Sequence, residues 1–421
     1  MDPVDYVFDR LDLDDESPEA AARREGWLRA ALLTFRSARP DDEFLKRWRA
    51  AAREDGMVCA GAWLPEGAYG ASAVPVATYA SFDKPINVGS EQLPARLVTM
   101  VTTSPTHLRR GLLRRLIEDD LSDAVAQGLP LAALTAADAT IYGRWGFGVG
   151  TLRRSVEVAG GRRFALRDFT DPGRCELVDP RTAWETMREI YAPFQARTRG
   201  SVEWPTEYRD MHTGSYNYND RGEDNKLVGA VHLDADEQPD GFVWFHYADE
   251  GEVKIQEMVA LTPEAQLSMW RLLAGMDRVT KVTHGVADPL DPLPWALTDI
   301  NACKVIGEQE FLWVRVLDVP RCLAARPWSA DGTIVLEVED AQGYAAGRWE
   351  VTVRDGVAAT ERTEADPHLR LTAETLATML MGAAPTMVLH AAGRLAGSPD
   401  EAGRFATMAD LQVPPYSITG F

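Results

Sequence analysis

The stretch LVTMVTTSPTHLRRGLLRRLIEDDLSDAVAQGLPLAALTAADATIYGRWGFGVGT, residues 97–151, decides the reading of this chain. It opens on a β-rich run, residues 97–103, and breaks at Ser104-Pro105-Thr106. Arg109-Arg110-Gly111 then open a predicted helix. Its apolar residues recur at helical spacing: Leu112, Leu113, Leu116, Ile117, Leu121, Ala124 and Val125. Gly128, with Pro130 two places on, ends it. A second buried-type strand, residues 129–134, leads to a turn and to Tyr142-Gly143-Arg144-Trp145-Gly146-Phe147.

This order makes an anion cradle. A strand that ends at a glycine-containing loop leaves the first helical N–H groups unpaired, and those groups with the helix dipole favour a phosphate. Gly111 has no Cβ to hold a ligand away from the backbone. Arg109 and Arg110 can add charge-assisted bonds to phosphate oxygens. The same residues also read as an ordinary solvated helix start. Neither G-x-G-x-x-G nor G-x-x-x-x-G-K-S/T occurs, so the dinucleotide and Walker-type readings lack their fingerprints.

Taken together, the two motifs resemble the GNAT acetyltransferases, whose phosphate loop runs Q/R-x-x-G-x-G/A after a V-x-V strand. The closer likeness is to the Eis (enhanced intracellular survival) family. There T-x-P-T-H-x-R-R-G-L-L and I-Y-G-R-F/W-G-F/Y stand at this separation, as do residues 103–113 and 141–147 here. Leu108 stands where the GNAT loop has Gln or Arg, and Leu113 where it has Gly or Ala. The resemblance implies an α/β (α+β) chain: tandem GNAT-like domains followed by a C-terminal sterol-carrier-protein-like α/β domain. The expected bounds are 1–160 for the first, 161–305 for a second that lacks a CoA site, and 306–421 for the third. It implies acetyl-CoA as cosubstrate. The backbone of Val101, Thr102 and Thr103 would pair with its pantetheine arm. Arg109, Arg110, Gly111, Leu112, Leu113 and Arg114 would hold the diphosphate, and Ala137 and Asp138 would line the channel. It further implies a homohexamer.

Composition narrows the partners. A length of 421 residues suits roughly three domains, and 45% hydrophobic residues suffice for real cores. A net charge of −20 argues against nucleic acid and anionic membranes, which need basic surfaces. It suits a cationic small-molecule amine, or solubility alone. Cys59, Cys175, Cys303 and Cys322 lie far apart and no H-x-x-x-H pair occurs, so no metal is expected. The acidic start is the reverse of a signal peptide, and no run of about 18 apolar residues exists. A cytoplasmic protein is expected.

Residues 4–8 alternate as a first strand, and Ser17-Pro18-Glu19 is a helix opening with a cap and Pro at N1. Asp41-Asp42-Glu43 starts a second helix. In GNAT enzymes these helices wall the acceptor pocket, which makes Phe35, Asp41, Asp42, Glu43 and Trp48 candidates to hold an amine: carboxylates attract ammonium and aromatic faces hold cations. The competing reading is an acidic first turn suited to the helix dipole, with aromatics in the core. Residues 314–319 and 333–338 read as strands of the third unit, with 349–353 pairing the latter. Helices follow at 373–381 and 399–408. The tail QVPPYSITGF is extended at Pro414-Pro415, apolar and uncharged, which suggests docking into a groove.

Acetyl transfer needs an amine freed of its proton, and an alkyl ammonium has a pKa near 10. By resemblance, the C-terminal carboxylate of Phe421 is the general base and Tyr142 the general acid for the departing thiolate. Tyr142 also reads as a core tyrosine packing on Trp145. Two other functions fit the sequence: a lipid- or ligand-binding protein with degenerate GNAT folds, and a protein-lysine acetyltransferase.

Overall fold

The structure is a computed structural model, and it describes residues 5–136, 139–248 and 251–421. Three sheets carry the chain. The first has seven strands, and its N-terminal half follows chain order through Val7–Arg10, Val58–Trp63, Ala77–Asn87 and Gln92–Thr103. Leu131–Thr135 then lies parallel to Gln92–Thr103, because the helix Leu112–Ala126 carries the chain back across the sheet. That helix buries Leu112, Leu116, Ile117, Leu121 and Ala124, the face its periodicity predicted, while Val125 stays 39% exposed. The first helix, Pro18–Thr34, is capped by Ser17, whose side chain accepts from the Ala20 N–H. It seats Trp27 in the core, stacked on Trp48.

The second sheet also has seven strands, and the third has five. Helices Trp184–Arg197 and Pro263–Gly275 pack on the second; Ala373–Met381 and Pro399–Ala409 belong to the third unit. The expected bounds at 160 and 306 cut through a strand exchange. Leu152–Ala159 joins the second sheet, between Lys281–Ala287 and Cys303–Glu310. Leu312–Val316, expected in the third unit, inserts into the first sheet between Leu131–Thr135 and Gly148–Val149. Its five residues are all buried, so both faces of this strand are covered.

The exchange welds the units. One apolar core runs from Phe82, Leu97, Leu131 and Val314 of the first sheet into Ile334, Leu336 and Val351 of the third. Across it, the fully buried Arg315 donates through Nη2 to both Asp340 oxygens, at 2.7 and 2.6 Å. A second buried polar node fixes the helix Leu112–Ala126 on the first sheet. Asp120 accepts from Tyr79 Oη at 2.8 Å, Ser81 Oγ at 2.6 Å and Arg96 Nη1 at 2.6 Å. A buried carboxylate so bonded is satisfied, and it pins the helix register.

Candidate active site

The site begins where two strands part. Gln92–Thr103 and Leu131–Thr135 pair only from Ala95↔Leu131 to Val98↔Leu134. Beyond Val98 the first strand follows its other neighbour, through Ala80↔Thr99, Thr78↔Thr102 and Ala77↔Thr103. A register shift falls opposite Tyr79, and Met100 sits there with φ of 48°. A bulge with a left-handed residue bends the strand away from its partner. Thr78 Oγ1 steadies it by donating to the Met100 carbonyl at 2.8 Å. Val101, Thr102 and Thr103 therefore lie along a strand that has separated from Leu131–Thr135.

The gap is a cleft of about 550 Å³. Met100, Val101, Thr135 and Ala136 border it from the parted strands, and Tyr142 and Phe421 border it as well. Tyr142 ends the short helix Ala139–Tyr142, is 8% exposed, and packs against Trp145 and Phe147 with centroids 6.4 and 6.1 Å away. Ala137 and Asp138, expected along the channel, lie outside the described residues.

Phe421 arrives from the third unit. Residues 415–419 are buried, and the tail is held at each step. Tyr416 N–H donates to the Arg199 carbonyl at 2.8 Å, and Tyr416 Oη to the Val286 carbonyl at 2.6 Å. Thr419 Oγ1 meets Tyr191 Oη at 2.9 Å and the Val202 carbonyl at 3.1 Å. Tyr208 Oη accepts from the Gly420 N–H at 2.8 Å and lies 3.0 Å from the Gly420 carbonyl. Burial pushes the phenols of Tyr191 and Tyr208 well up, so both stay neutral and able to donate. The Phe421 ring meets Phe82 edge-on at 6.2 Å, and Thr135 Oγ1 donates to a terminal oxygen of Phe421 at 2.6 Å.

The loop after the parted strand keeps the features of an anion cradle. Gly111 is the N-cap of Leu112–Ala126, with φ of 76° and no side chain to cap it. The first intrahelical bond runs from Arg115 N–H to the Gly111 carbonyl, so the N–H groups of Leu112, Leu113 and Arg114 precede the ladder. A Cβ built at Gly111 would meet nothing within 4 Å, which leaves the backbone open to a ligand. Arg109, itself at φ of 61°, and Arg110 and Arg114 are exposed. His107 beside them holds Tyr6 Oη at 2.8 Å; burial, then the charge of Arg110, pushes its pKa down.

Of the five acceptor-side candidates, Phe35 borders the cleft. Asp41 instead caps its helix, accepting from Phe44 N–H at 2.8 Å. Asp42 is exposed in the first turn, and Glu43 accepts from Arg47 Nε at 2.6 Å. Trp48 is 4% exposed beneath Trp27. These four serve the helix start and the core. The cleft also takes in Thr135, Arg153, Gln309, Glu310 and Phe311, which sequence reasoning passed over. Arg153 and Gln309 face each other across the strand exchange, a pairing with no local signal.

The comparisons with known proteins agree with this architecture. Two acetyltransferase (GNAT) domain families match residues 21–150 and 199–316, and a sterol carrier protein domain family matches 319–417. An uncharacterized N-acetyltransferase of Streptomyces avermitilis is 34% identical over 332 residues, 76% of this chain and 79% of the relative. The N-acetyltransferase Eis of Mycobacterium tuberculosis is 30% identical over 365 residues, 83% of this chain and 85% of its own length. Among solved structures, Eis1 from Mycobacterium abscessus superposes with a TM-score of 0.74 at 25% identity, covering 86% of this chain and 90% of that one. A probable N-acyltransferase from Enterococcus faecalis shares the fold, with a TM-score of 0.81 at 17% identity over 99% of this chain and all of that one. The chain is therefore an N-acetyltransferase, and it belongs to the Eis family.

Proposed function

We propose that this enzyme moves the acetyl group of acetyl-CoA directly onto a primary amine of a cationic acceptor: aminoglycoside-like, polyamine or lysine-type. The observation that carries the proposal is that Tyr142 and the last residue of the chain border one cleft at the mouth of the parted strands. Acetyl-CoA supplies the activated acyl group when bound. The open Gly111 backbone, the unpaired N–H groups beyond it and exposed Arg109, Arg110 and Arg114 suit its diphosphate. The backbone of residues 101–103 suits its pantetheine arm.

In the proposed reaction the Phe421 carboxylate takes a proton from the acceptor nitrogen, oriented by its bond from Thr135 Oγ1. The nitrogen–carbon bond forms as the carbon–sulfur bond breaks. The Tyr142 hydroxyl gives its proton to the departing sulfur, and the two protein groups then re-equilibrate with solvent. No covalent acyl-enzyme is needed. Among the described residues no group of His, Cys, Asp and Glu is arranged to hold a metal, and no helix is long and apolar enough to cross a membrane. We further infer a cytoplasmic homohexamer, as the family resemblance implies; light scattering tests the assembly.

A thiol-release assay over a panel of amines tests the function. Tyr142→Phe should lower kcat by roughly a hundredfold or more, the scale of a lost general acid, with acetyl-CoA affinity retained. Silence with every amine overturns the proposal.

A further inference from the structure

We infer that Arg153 is a specificity-determining residue of the acceptor cleft, selecting amines that also carry a carboxylate, amino-acid-like acceptors above pure polycations. The inference rests on the amine-transfer reading of the cleft and narrows it.

Net charge and two acidic groups at the cleft, Glu310 and the Phe421 terminus, would suit any cation. A guanidinium at the same cleft does not. Arg153 borders the cleft, half-buried on the strand Leu152–Ala159. Its guanidinium carbon lies 5.6 Å from the centre of the Phe311 ring. That ring in turn reaches to 3.6 Å from a Cβ built on Gly420, next to the terminal carboxylate. Arg153 thus stands one aromatic ring away from the residue preceding the reacting end of the chain.

The guanidinium is also oriented. With its oxygen assigned to face Arg153, the Gln309 amide accepts from both Nε and Nη2. An arginine has five N–H donors, so an amide on one edge and an aromatic face leave donors for a ligand. Among the described residues neither Arg153 nor Glu310 makes an ion pair. The neighbouring Arg154 does, on Glu308 at 2.9 Å, so cations on this strand find carboxylates where the fold provides them. A cation held in place and making no direct ion pair at a substrate cleft matches a carboxylate brought by the substrate, which it can grip in bidentate fashion. A polycation at the same place meets repulsion, which is discrimination by an unfavourable contact.

The test uses a matched pair: Nα-acetyl-L-lysine, with one amine and one carboxylate, and its carboxamide, with the charge removed. Their kcat/KM values are compared in the full-length enzyme and in Arg153→Gln. The acid should lead the amide by roughly tenfold or more, the worth of one charge-assisted bond. The lead should vanish in Arg153→Gln, chiefly through KM, and Arg153→Lys should keep part of it. A ratio of two acceptors on one protein sample is indifferent to the fraction folded. An amide used as well as the acid, or a ratio unmoved by Arg153→Gln, overturns the inference and leaves amine transfer standing. Neither lysine derivative turning over while other amines do also overturns it. Silence across all amines overturns the underlying reading as well.

Discussion

Tyr208 offers the sharpest test of the tail. Its hydroxyl accepts from the Gly420 N–H at 2.8 Å and lies 3.0 Å from the Gly420 carbonyl, one residue before the proposed base. Tyr208→Phe removes both bonds and keeps the ring, which stacks near Trp204 and His212 with centroids 6.0 and 5.2 Å away. Each bond contributes about 1 kcal/mol net, so the docked tail loses about 2 kcal/mol. That is roughly a thirtyfold shift toward the undocked state. It is a ceiling for the rate effect, because Thr419 and Tyr416 still hold the tail through the Val202, Arg199 and Val286 carbonyls. The expected outcome is a kcat lowered several-fold, with no more than about a thirtyfold loss, and an unchanged acetyl-CoA affinity by calorimetry. A chain lacking Phe421 sets the floor, since it has no carboxylate at that place. If that chain and Tyr208→Phe both turn over at the wild-type rate, the terminal carboxylate is not the base.

Three further outcomes follow from the geometry. Replacing Arg109 and Arg110 together by Ala should weaken acetyl-CoA binding by about tenfold or more and flatten its dependence on salt, read by calorimetry at two ionic strengths; equal affinity would remove the cradle from this loop. Asp120→Asn should destabilise the chain by about 3 kcal/mol in urea unfolding, because Arg96 loses a buried carboxylate and one of the Tyr79 and Ser81 hydroxyls meets an amide NH2 where it had an acceptor oxygen; a cost near zero would show that the node does not pin the helix. His284 is 3% exposed, and burial pushes its imidazole down to about 3, below the ~6.5 of an unfolded chain. As pH falls from about 6.5 toward 3 the unfolded chain binds a proton that the folded one refuses, so stability present above that window is lost within it. His284→Leu should flatten this acid limb, and superimposable acid-unfolding curves would contradict it.

What could be foreseen in the sequence is what local chemistry dictates. The helix Leu112–Ala126 announced itself by the spacing of its apolar residues, and Gly111 by the need for a left-handed, uncrowded cap. Ser17 and Thr372 cap their helices as short polar residues do. The acceptor side was less legible for a related reason. A carboxylate at a helix start satisfies backbone N–H groups wherever it stands, so Asp41 looks alike in a pocket or out of one. Nothing local marked the strand exchange. Residues 312–316 are short, apolar and able to fill any buried gap, and which sheet receives them depends on partners more than a hundred residues away. The cleft inherits that non-locality, since Arg153 meets Gln309 only because Leu152–Ala159 leaves the first sheet for the second.

The tail carries the same lesson into the chemistry. Its residues are anchored on Arg199, Val202 and Tyr208 of the second unit, and its final oxygen on Thr135 of the first. A base supplied by the end of the chain cannot be placed until every unit it crosses has folded. Loosening either the Arg315–Asp340 pair or the tyrosines under residues 416–420 should therefore lower the rate before it lowers the bulk of the secondary structure. The reaction, on this reading, reports the integrity of the whole chain, and a variant that kept full turnover with its third unit displaced would break the link between the tail and the chemistry.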